Sequence, residues 1–187
     1  MISDKQGQML LKMARTSIAE KLSLPVDKTQ IDLDQSFLEN KQGLFVTLHK
    51  NSALRGCVGV IEPVEPLKTC VGKTARLTAF KDSRFAPLSR DEFHQVDLEI
   101  SLLSPPEKLE YSTGKELIQR LVPFKDGVII KKGSKQATFL PQVWKQLSDT
   151  ASFLSRLCTK AGLDNDEWIK GSLIVYTYRV HSFCENR

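Results

Sequence analysis

The amino-acid sequence predicts an α+β protein whose sheets are mainly antiparallel and flanked by helices. Helical and alternating apolar patterns follow one another without a regular βαβ rhythm, and two predicted strand pairs are local hairpins, which join antiparallel strands. The chain has 187 residues, of which 41% are hydrophobic and 26% are charged, as in ordinary globular proteins. We therefore predict one domain that spans residues 1–187.

The N-terminal part of the chain predicts one long helix. Apolar residues recur at intervals of three and four between Ser3 and Leu22, which is the spacing of an amphipathic helix, and Pro25 ends it. The stretch from Val26 to Asn40 lacks strong periodicity and predicts an irregular connection, with one short helical turn near Asp34 to Glu39.

A strand pair, a helix and a charged loop follow. Residues alternate from Gly43 to Lys50, and a second such stretch runs from Leu54 to Ile61, so we predict two strands joined by a short turn. The spacing of apolar and small residues predicts a second long helix from about Pro66 to Phe80. The segment from Lys81 to Leu88, K-D-S-R-F-A-P-L, then forms a loop.

The middle of the chain contains two capping boxes, in which a Ser or Thr precedes a Glu by three residues. The first, Ser89 to Glu92, predicts the start of a short helix. The alternating stretch from Val96 to Leu103 then predicts a strand that two prolines stop. The second capping box, Thr113 to Glu116, opens a predicted helix over Gly114 to Leu121.

The C-terminal part predicts a hairpin, two helices and a strand. Gly127 to Lys132 and Gln136 to Leu140 are two β-type stretches separated by a glycine turn. Pro141 suits the first turn of a helix, and Thr150 to Ala161 has helical spacing. The stretch from Ser172 to Phe183 is rich in β-branched and aromatic residues, so it predicts one long final strand.

Several functional classes are disfavoured by the composition. There is no run of about 18 apolar residues, and no basic region precedes an apolar core at the N-terminus, so we predict a cytoplasmic protein without a membrane segment. The four cysteines are scattered without a C-x-x-C pair, and we therefore predict no metal site. No glycine loop of the Walker or Rossmann type is present, so we predict no cofactor.

The segment L-R-G-C-V-G, Leu54 to Gly59, contains the first candidate site. In a regular strand Arg55, Cys57 and Gly59 share one face, and a guanidinium beside a thiol favours the nucleophilic thiolate. Gly56 and Gly59 would let a ligand or another backbone approach closely. In the alternative interpretation Cys57 is a small core residue, Arg55 pairs with an acid elsewhere, and the glycines mark a bulge.

The loop from Lys81 to Leu88 is the second candidate site. Asp82 and Arg84 could position each other or hold an anionic ligand. Alternatively, the two residues only tie down the loop while Phe85 inserts into the core. We predict that this loop and the L-R-G-C-V-G segment come together in space, because the intervening helix is long enough to bring the chain back.

His49 and Glu62 are the candidate proton carriers near the first site. His49 lies where the first hairpin turns, close enough in sequence to approach the L-R-G-C-V-G strand and form a Cys-His pair. Glu62 is the acid that directly follows this strand. Both residues have an alternative interpretation as solvated surface side chains.

Four segments of the sequence resemble the AMMECR domain family, whose prokaryotic branch is called AmmeMemoRadiSam system protein A. In chain order they are L-H-K-N-S-A-L-R-G-C-V-G, A-F-K-D-S-R-F-A-P-L, V-D-L-E-I-S-L-L-S-P-P-E and A-T-F-L-P-Q-V-W. Val58 stands where the family usually has Ile, and Ala86 where it often has Pro. Lys73 and Thr74 replace a common Glu-Asn pair.

The resemblance implies a fold and a set of partners. It implies two lobes, with a larger lobe formed from both chain ends, a smaller inserted lobe and a cleft between them. It also implies a shared pathway with a Memo-type protein and a radical-SAM protein. The family has no settled biochemical activity, so the resemblance does not supply a reaction.

Two functional hypotheses from different classes follow. The first is an enzyme or enzyme component that binds a small or modified anionic substrate in the cleft, with Cys57 as nucleophile or redox centre. The second is a non-catalytic binding module for a protein partner or a nucleic acid. The net charge of +5 and a candidate exposed sheet edge along Ser172 to Phe183 favour the second. Nucleic acid is the weaker candidate, because the basic stretch from Lys125 to Lys135 predicts a solvated hairpin.

Overall fold

The computed structural model describes residues 2–26 and 34–185. The chain divides into two compact units: the first contains Met1–Leu103 and His181–Arg187, and the second contains Ser104–Val180. Each unit contains one four-stranded antiparallel sheet with helices packed on it. The predicted α+β class with mainly antiparallel sheets is therefore confirmed.

The described residues contain five α-helices, eight strands and three short 3-10 helices. The helices are α1 (Asp4–Lys21), α2 (Leu67–Lys81), α3 (Arg90–Phe93), α4 (Gly114–Arg120) and α5 (Thr150–Lys160). The strands are β1 (Leu44–Lys50), β2 (Ala53–Val60), β3 (Val96–Leu103), β4 (Glu107–Leu109), β5 (Gly127–Lys132), β6 (Lys135–Phe139), β7 (Ile174–Tyr178) and β8 (Val180–Cys184). The 3-10 helices are Ser36–Glu39, Pro141–Lys145 and Glu167–Lys170. None of these described helices is long and apolar enough to cross a membrane.

The helices begin where the sequence places side-chain caps. Ser3 accepts the N–H of Gln6, and the Gln6 side chain accepts the N–H of Ser3, so α1 starts with a complete capping box. Ser89 and Thr113 likewise accept backbone N–H groups at the starts of α3 and α4. The two capping motifs predicted in the middle of the chain are therefore confirmed as helix starts.

The first sheet has the strand order β2-β1-β3-β8. Leu44, Val46 and Leu48 of β1 are fully buried and belong to one apolar cluster with residues of α1 and α2. The residues between them, Phe45 and Thr47, are only half-buried, because they point to the opposite face of the sheet. The sheet thus has one apolar face against helices and one more polar face.

The second sheet has the strand order β4-β7-β5-β6 and a separate apolar core. Val128, Ile130 and Val175 supply its fully buried strand residues. Trp144 and Phe153 stack in this core with ring centroids 3.7 Å apart and planes 3° from parallel. The indole N–H of Trp144 donates to the carbonyl of Asp126 at 2.7 Å, which satisfies its polar group.

The final strand corrects the sequence prediction. The sequence predicts one strand from Ser172 to Phe183, but β7 belongs to the second sheet and β8 to the first. Arg179 separates them, because its backbone exchanges hydrogen bonds with Ser104 instead of continuing a ladder. The predicted exposed edge is wrong for β7, which lies inside its sheet between β4 and β5, whereas β8 is an edge strand.

Three shorter elements also differ from the prediction. The predicted helix at Pro141 is a 3-10 helix, and β4 and the 3-10 helix at Glu167–Lys170 were not predicted. These elements have three to five residues, too few to show a periodic pattern. The helical turn near Asp34 to Glu39 is confirmed as a 3-10 helix, whereas residues 27–33 of the predicted connection lie outside the described residues.

Candidate functional site

Cys57 lies on β2, an edge strand of the first sheet. It pairs with Thr47 across the sheet, on the face that points away from α1 and α2. Its side chain is half-buried, and the Thr47 hydroxyl donates a hydrogen bond to Sγ at 3.3 Å. Cys57 is therefore a partly accessible thiol beside a polar group and not a fully buried core residue, and its reactivity stays a prediction.

The loop after α2 closes the edge of the sheet at Cys57. The backbone N–H of Cys57 donates to Asp82 Oδ2 at 2.9 Å, and its carbonyl accepts from Arg84 Nη2 at 3.1 Å. These two side chains thus occupy the position that a neighbouring strand would take. The prediction that the loop and the L-R-G-C-V-G segment come together is confirmed.

Asp82 and Arg84 also bind each other in a bidentate ion pair. Arg84 Nε donates to Asp82 Oδ1 at 2.9 Å, and Nη2 donates to Oδ2 at 2.7 Å. The hydrogen bonds from Arg84 hold the pKa of Asp82 well below its usual range, and the bond from the Cys57 N–H adds to this effect. Burial acts in the opposite direction but is outweighed. Asp82 therefore stays ionised at neutral pH and acts as a fixed acceptor.

Arg55 has a carboxylate partner of its own. Its Nε and Nη2 donate to the two oxygens of Glu92 at 2.8 and 2.9 Å, and Nη2 also donates to the carbonyl of Ala86 at 2.8 Å. Hydrogen bonds from Arg55 lower the pKa of Glu92 to about 2, and Lys50 also lowers it, whereas burial acts to raise it. The alternative in which Arg55 pairs with a distant acid is therefore confirmed, and its role in tuning Cys57 stays a prediction.

A β-bulge interrupts β2 at Arg55. Leu48 pairs with Gly56 and His49 pairs with Leu54, so Arg55 is the extra residue between two paired positions. The prediction that Arg55 shares a face with Cys57 assumed a regular strand, and the bulge breaks that alternation. The bulge lets the guanidinium reach α3, where Glu92 lies.

The aromatic ring of Phe85 lies near both guanidinium groups. The Cζ atoms of Arg55 and Arg84 are each 5.6 Å from the Phe85 ring centroid, within the range of cation-π attraction. Phe85 is half-buried, whereas Leu88 is the buried apolar residue of the loop. The alternative in which Phe85 inserts into the core is therefore wrong, since its ring is half-buried and lies beside the two arginines.

At both glycines of the segment, other atoms of the protein occupy the space that a side chain would need. A Cβ at Gly56 would lie 2.9 Å from the carbonyl oxygen of Thr78, so this glycine admits the backbone of α2. A Cβ at Gly59 would lie 2.2 Å from the ring of Phe45, which pairs with it across the strands. The structure thus shows close approach by other parts of the protein at both positions. A role of Gly56 and Gly59 in substrate binding stays a prediction.

His49 contacts Glu99, which is not among the candidate residues that the sequence predicts. Its Nε2 lies 3.2 Å from Glu99 Oε2, and Ser101 donates to the other oxygen of Glu99 at 3.1 Å. The alternating polar residues in V-D-L-E-I-S, the start of β3, carried the signal for Glu99 and Ser101. Glu62 is exposed in the bend after β2, and its predicted role stays a prediction.

Similarity searches connect the chain to archaeal proteins. A model of the AMMECR1 family matches residues 11–183. Protein LS215_2104 of Saccharolobus islandicus is 34% identical, with 100% of this chain and 84% of that protein aligned. Protein MK0488 of Methanopyrus kandleri is also 34% identical, with 97% and 89% aligned. The crystal structure of uncharacterized protein PH0010 from Pyrococcus horikoshii matches with a TM-score of 0.82 and 34% identity, covering 99% of this chain and 94% of that one.

Asp82→Asn tests the closure of the sheet edge. We expect a loss of about 2 to 3 kcal/mol in the free energy of unfolding, measured in urea, because a neutral amide cannot accept all of the charge-assisted bonds from Arg84 and Cys57. The matched control is Glu65→Gln, which removes an exposed ion pair with Lys73. We expect the control to change stability by less than about 0.5 kcal/mol, and equal losses in the two variants would contradict this account.

Glu92→Gln tests the ion pair with Arg55 through its pH dependence. The pKa of Glu92 is about 2 in the folded protein, against an ordinary value of 4.5, so its ionised form stabilises the fold above pH 4.5 and this contribution is lost as the pH falls through about 2. We expect wild type and variant to differ by about 2 kcal/mol at pH 7 and to converge between these pH values. The control, Glu39→Gln, removes an exposed pair with Lys68 and should show a small difference at every pH; a gap for Glu92→Gln that stays constant down to pH 2 would refute the assignment.

Proposed function

This chain belongs to the AMMECR1 family, and on that premise we propose that it is an enzyme, or the catalytic component of one, that acts on a small anionic substrate beside Cys57. The observation that carries the proposal is the half-buried thiol of Cys57, which accepts a hydrogen bond from Thr47 while Arg84 binds its backbone carbonyl. A hydroxyl donor and a nearby cation both favour the thiolate, which is the nucleophilic form of cysteine.

Arg84 supports the anionic character of the substrate. Its side chain is 53% exposed, so the guanidinium faces solvent while it binds Asp82 and Cys57. Its pKa is raised chiefly by the hydrogen bond to Asp82, and the charge of Cys57 adds to this effect. Because Arg84 binds the backbone carbonyl of Cys57 and its guanidinium is exposed, it would bind an anionic group of a substrate that reacts at the thiol.

The reaction that fits these groups is nucleophilic substitution by sulfur. The Sγ electron pair of Cys57 forms a bond to an electrophilic carbon of the substrate, and the bond from that carbon to its leaving group breaks. The leaving group takes that electron pair, together with the proton that His49 received from the thiol. Water then attacks the same carbon, which forms a C–O bond, and the C–S bond breaks with its electron pair on sulfur. One proton of the water passes through His49 to sulfur, so the thiol is restored and the second product leaves with the hydroxyl group.

The other cysteines differ from Cys57 in accessibility or surroundings. Cys70 and Cys158 are buried, and burial raises the pKa of both thiols. Cys184 is an exposed residue. The pKa of its thiol is nevertheless raised, first by the burial of part of the group and then by the negative charge of Glu99. A Cys184→Ser background therefore leaves Cys57 as the accessible thiol among the four.

Alkylation by iodoacetamide tests the nucleophile. In the Cys184→Ser background we expect Cys57 to react several-fold faster at pH 7 than a free peptide thiol, of which only about 3% is ionised at that pH, as measured by mass spectrometry. Thr47→Val should slow the reaction, because it removes the hydroxyl donor and preserves the side-chain shape. The matched control, Thr159→Val on α5, should not affect it. Reaction of Cys57 no faster than that of the peptide would reject the proposal.

We further propose that the protein works with a Memo-type protein and a radical-SAM protein. The support for this step is the resemblance of the four sequence segments to the AmmeMemoRadiSam branch of the family. Size-exclusion chromatography of the purified proteins from one organism tests it. Elution of this chain in a larger complex is the expected result, and independent elution of all three proteins would count against a stable assembly.

A further inference from the structure

The polar face of the first sheet carries a chain of hydrogen-bonded side chains. His49 Nε2 lies 3.2 Å from Glu99 Oε2, and Ser101 Oγ lies 3.1 Å from Glu99 Oε1. Ser182 on β8 continues the chain, with its Oγ 2.8 Å from that of Ser101. These hydrogen bonds therefore connect side chains of β1, β3 and β8, and they use both carboxylate oxygens of Glu99.

The number of protons fixes the direction of each bond. An ionised carboxylate only accepts hydrogen bonds, so Nε2 of His49 and the hydroxyl of Ser101 both donate to Glu99. Ser101 has a single hydroxyl proton, and Ser182 must therefore donate to Ser101. A neutral imidazole has one N–H donor and one acceptor nitrogen. When Nε2 carries the proton, Nδ1 is the nitrogen of His49 that accepts one.

The strand register places His49 on the same face as Thr47, which lies between Glu99 and Cys57. Thr47 pairs with Cys57 on β2 and with Glu99 on β3, and His49 lies two residues further along β1 on the same face. Diagonal neighbours on one face of an antiparallel sheet lie within reach of long and aromatic side chains. His49 thus makes its observed contact with Glu99 on one diagonal, while Cys57 lies on the other neighbouring strand with the bulge at Arg55 between its row and that of His49.

We propose that Glu99 is a positioning residue for His49, and that Nδ1 is the ring atom that takes the proton from the thiol of Cys57. Transfer of this proton converts neutral His49 into the imidazolium ion and leaves the thiolate, and the ionised Glu99 stabilises the positive ring. Ser101 and Ser182 hold Glu99 in the orientation that this bond requires. The inference rests on the proposed function of Cys57 and adds the residue that orients its base.

Asp97 provides a matched control for Glu99. It pairs directly with His49 across β1 and β3, so it lies on the same face and carries the same charge. The ring nitrogen of His49 nevertheless bonds to Glu99. An effect of general negative charge would appear in variants of either residue, whereas an effect of the specific bond would appear in variants of Glu99.

Nuclear magnetic resonance of the histidine rings tests the arrangement without any activity assay. In protein with ¹⁵N-labelled histidine at pH 8, we expect a slowly exchanging Nε2–H resonance for His49, assigned through its absence in His49→Gln. It should persist in Asp97→Ala and be lost in Glu99→Ala. Glu99→Gln keeps an acceptor oxygen and should retain the resonance, which also guards against loss through misfolding. A proton on Nδ1 in the wild type, or an unchanged resonance in Glu99→Ala, would overturn the inference.

Alkylation of Cys57 in the same variants separates this inference from the proposed function. We expect Glu99→Ala to slow the reaction about 2- to 10-fold, and to have no further effect in a His49→Gln background, since Glu99 acts through His49. Equal slowing in both backgrounds would overturn the positioning role. A Cys57 that reacts no faster than a peptide thiol, in protein whose Nε2–H resonance behaves as expected, would reject the proposed nucleophile and retain the bond between Glu99 and His49.

Discussion

The backbone of Cys57 sits at a sheet edge, and its N–H and C=O groups must find partners outside the sheet. Such groups are costly when buried without hydrogen bonds, and an open strand edge also invites pairing with other chains. Asp82 and Arg84 satisfy both groups. Because Asp82 directly follows the last residue of α2, the position of this helix on the sheet determines whether the edge can be closed. Gly56 permits the necessary approach, since a Cβ there would meet the backbone of Thr78.

The two arginines near Cys57 both have a structural role. Each is bound by its own carboxylate, Arg84 by Asp82 and Arg55 by Glu92, and both lie within cation-π distance of the Phe85 ring. The two pairs differ in exposure: the side chain of Arg84 is 53% exposed and that of Arg55 is 12% exposed. Arg84 is therefore the more accessible of the two guanidinium groups, whereas Arg55 and Glu92 fix the bulged strand to α3.

The sequence identified the elements of the fold better than the contacts between them. Capping boxes and alternation are local, so the starts of α3 and α4 and the strands around Cys57 were predictable. The partner of Arg55 lies 37 residues away and depends on a bulge, which apolar periodicity does not reveal. The split of the last strand at Arg179 depends on hydrogen bonds to Ser104, and no pattern within the strand itself indicates them.

The contact between His49 and Glu99 illustrates the same limit at the candidate site. Both residues stand in alternating stretches, so each could be assigned to a face of its strand, but their meeting depends on the order of strands in the sheet. Placing β1 between β2 and β3 puts Thr47 beside both Cys57 and Glu99. The closed edge then fixes the backbone of Cys57 on one side, and the polar face fixes His49 on the other. The thiol of Cys57 is bound by the Thr47 hydroxyl on this face, while Asp82 and Arg84 hold the backbone of the same residue at the strand edge. Contacts of this second layer fix the orientation of the side chains that they support.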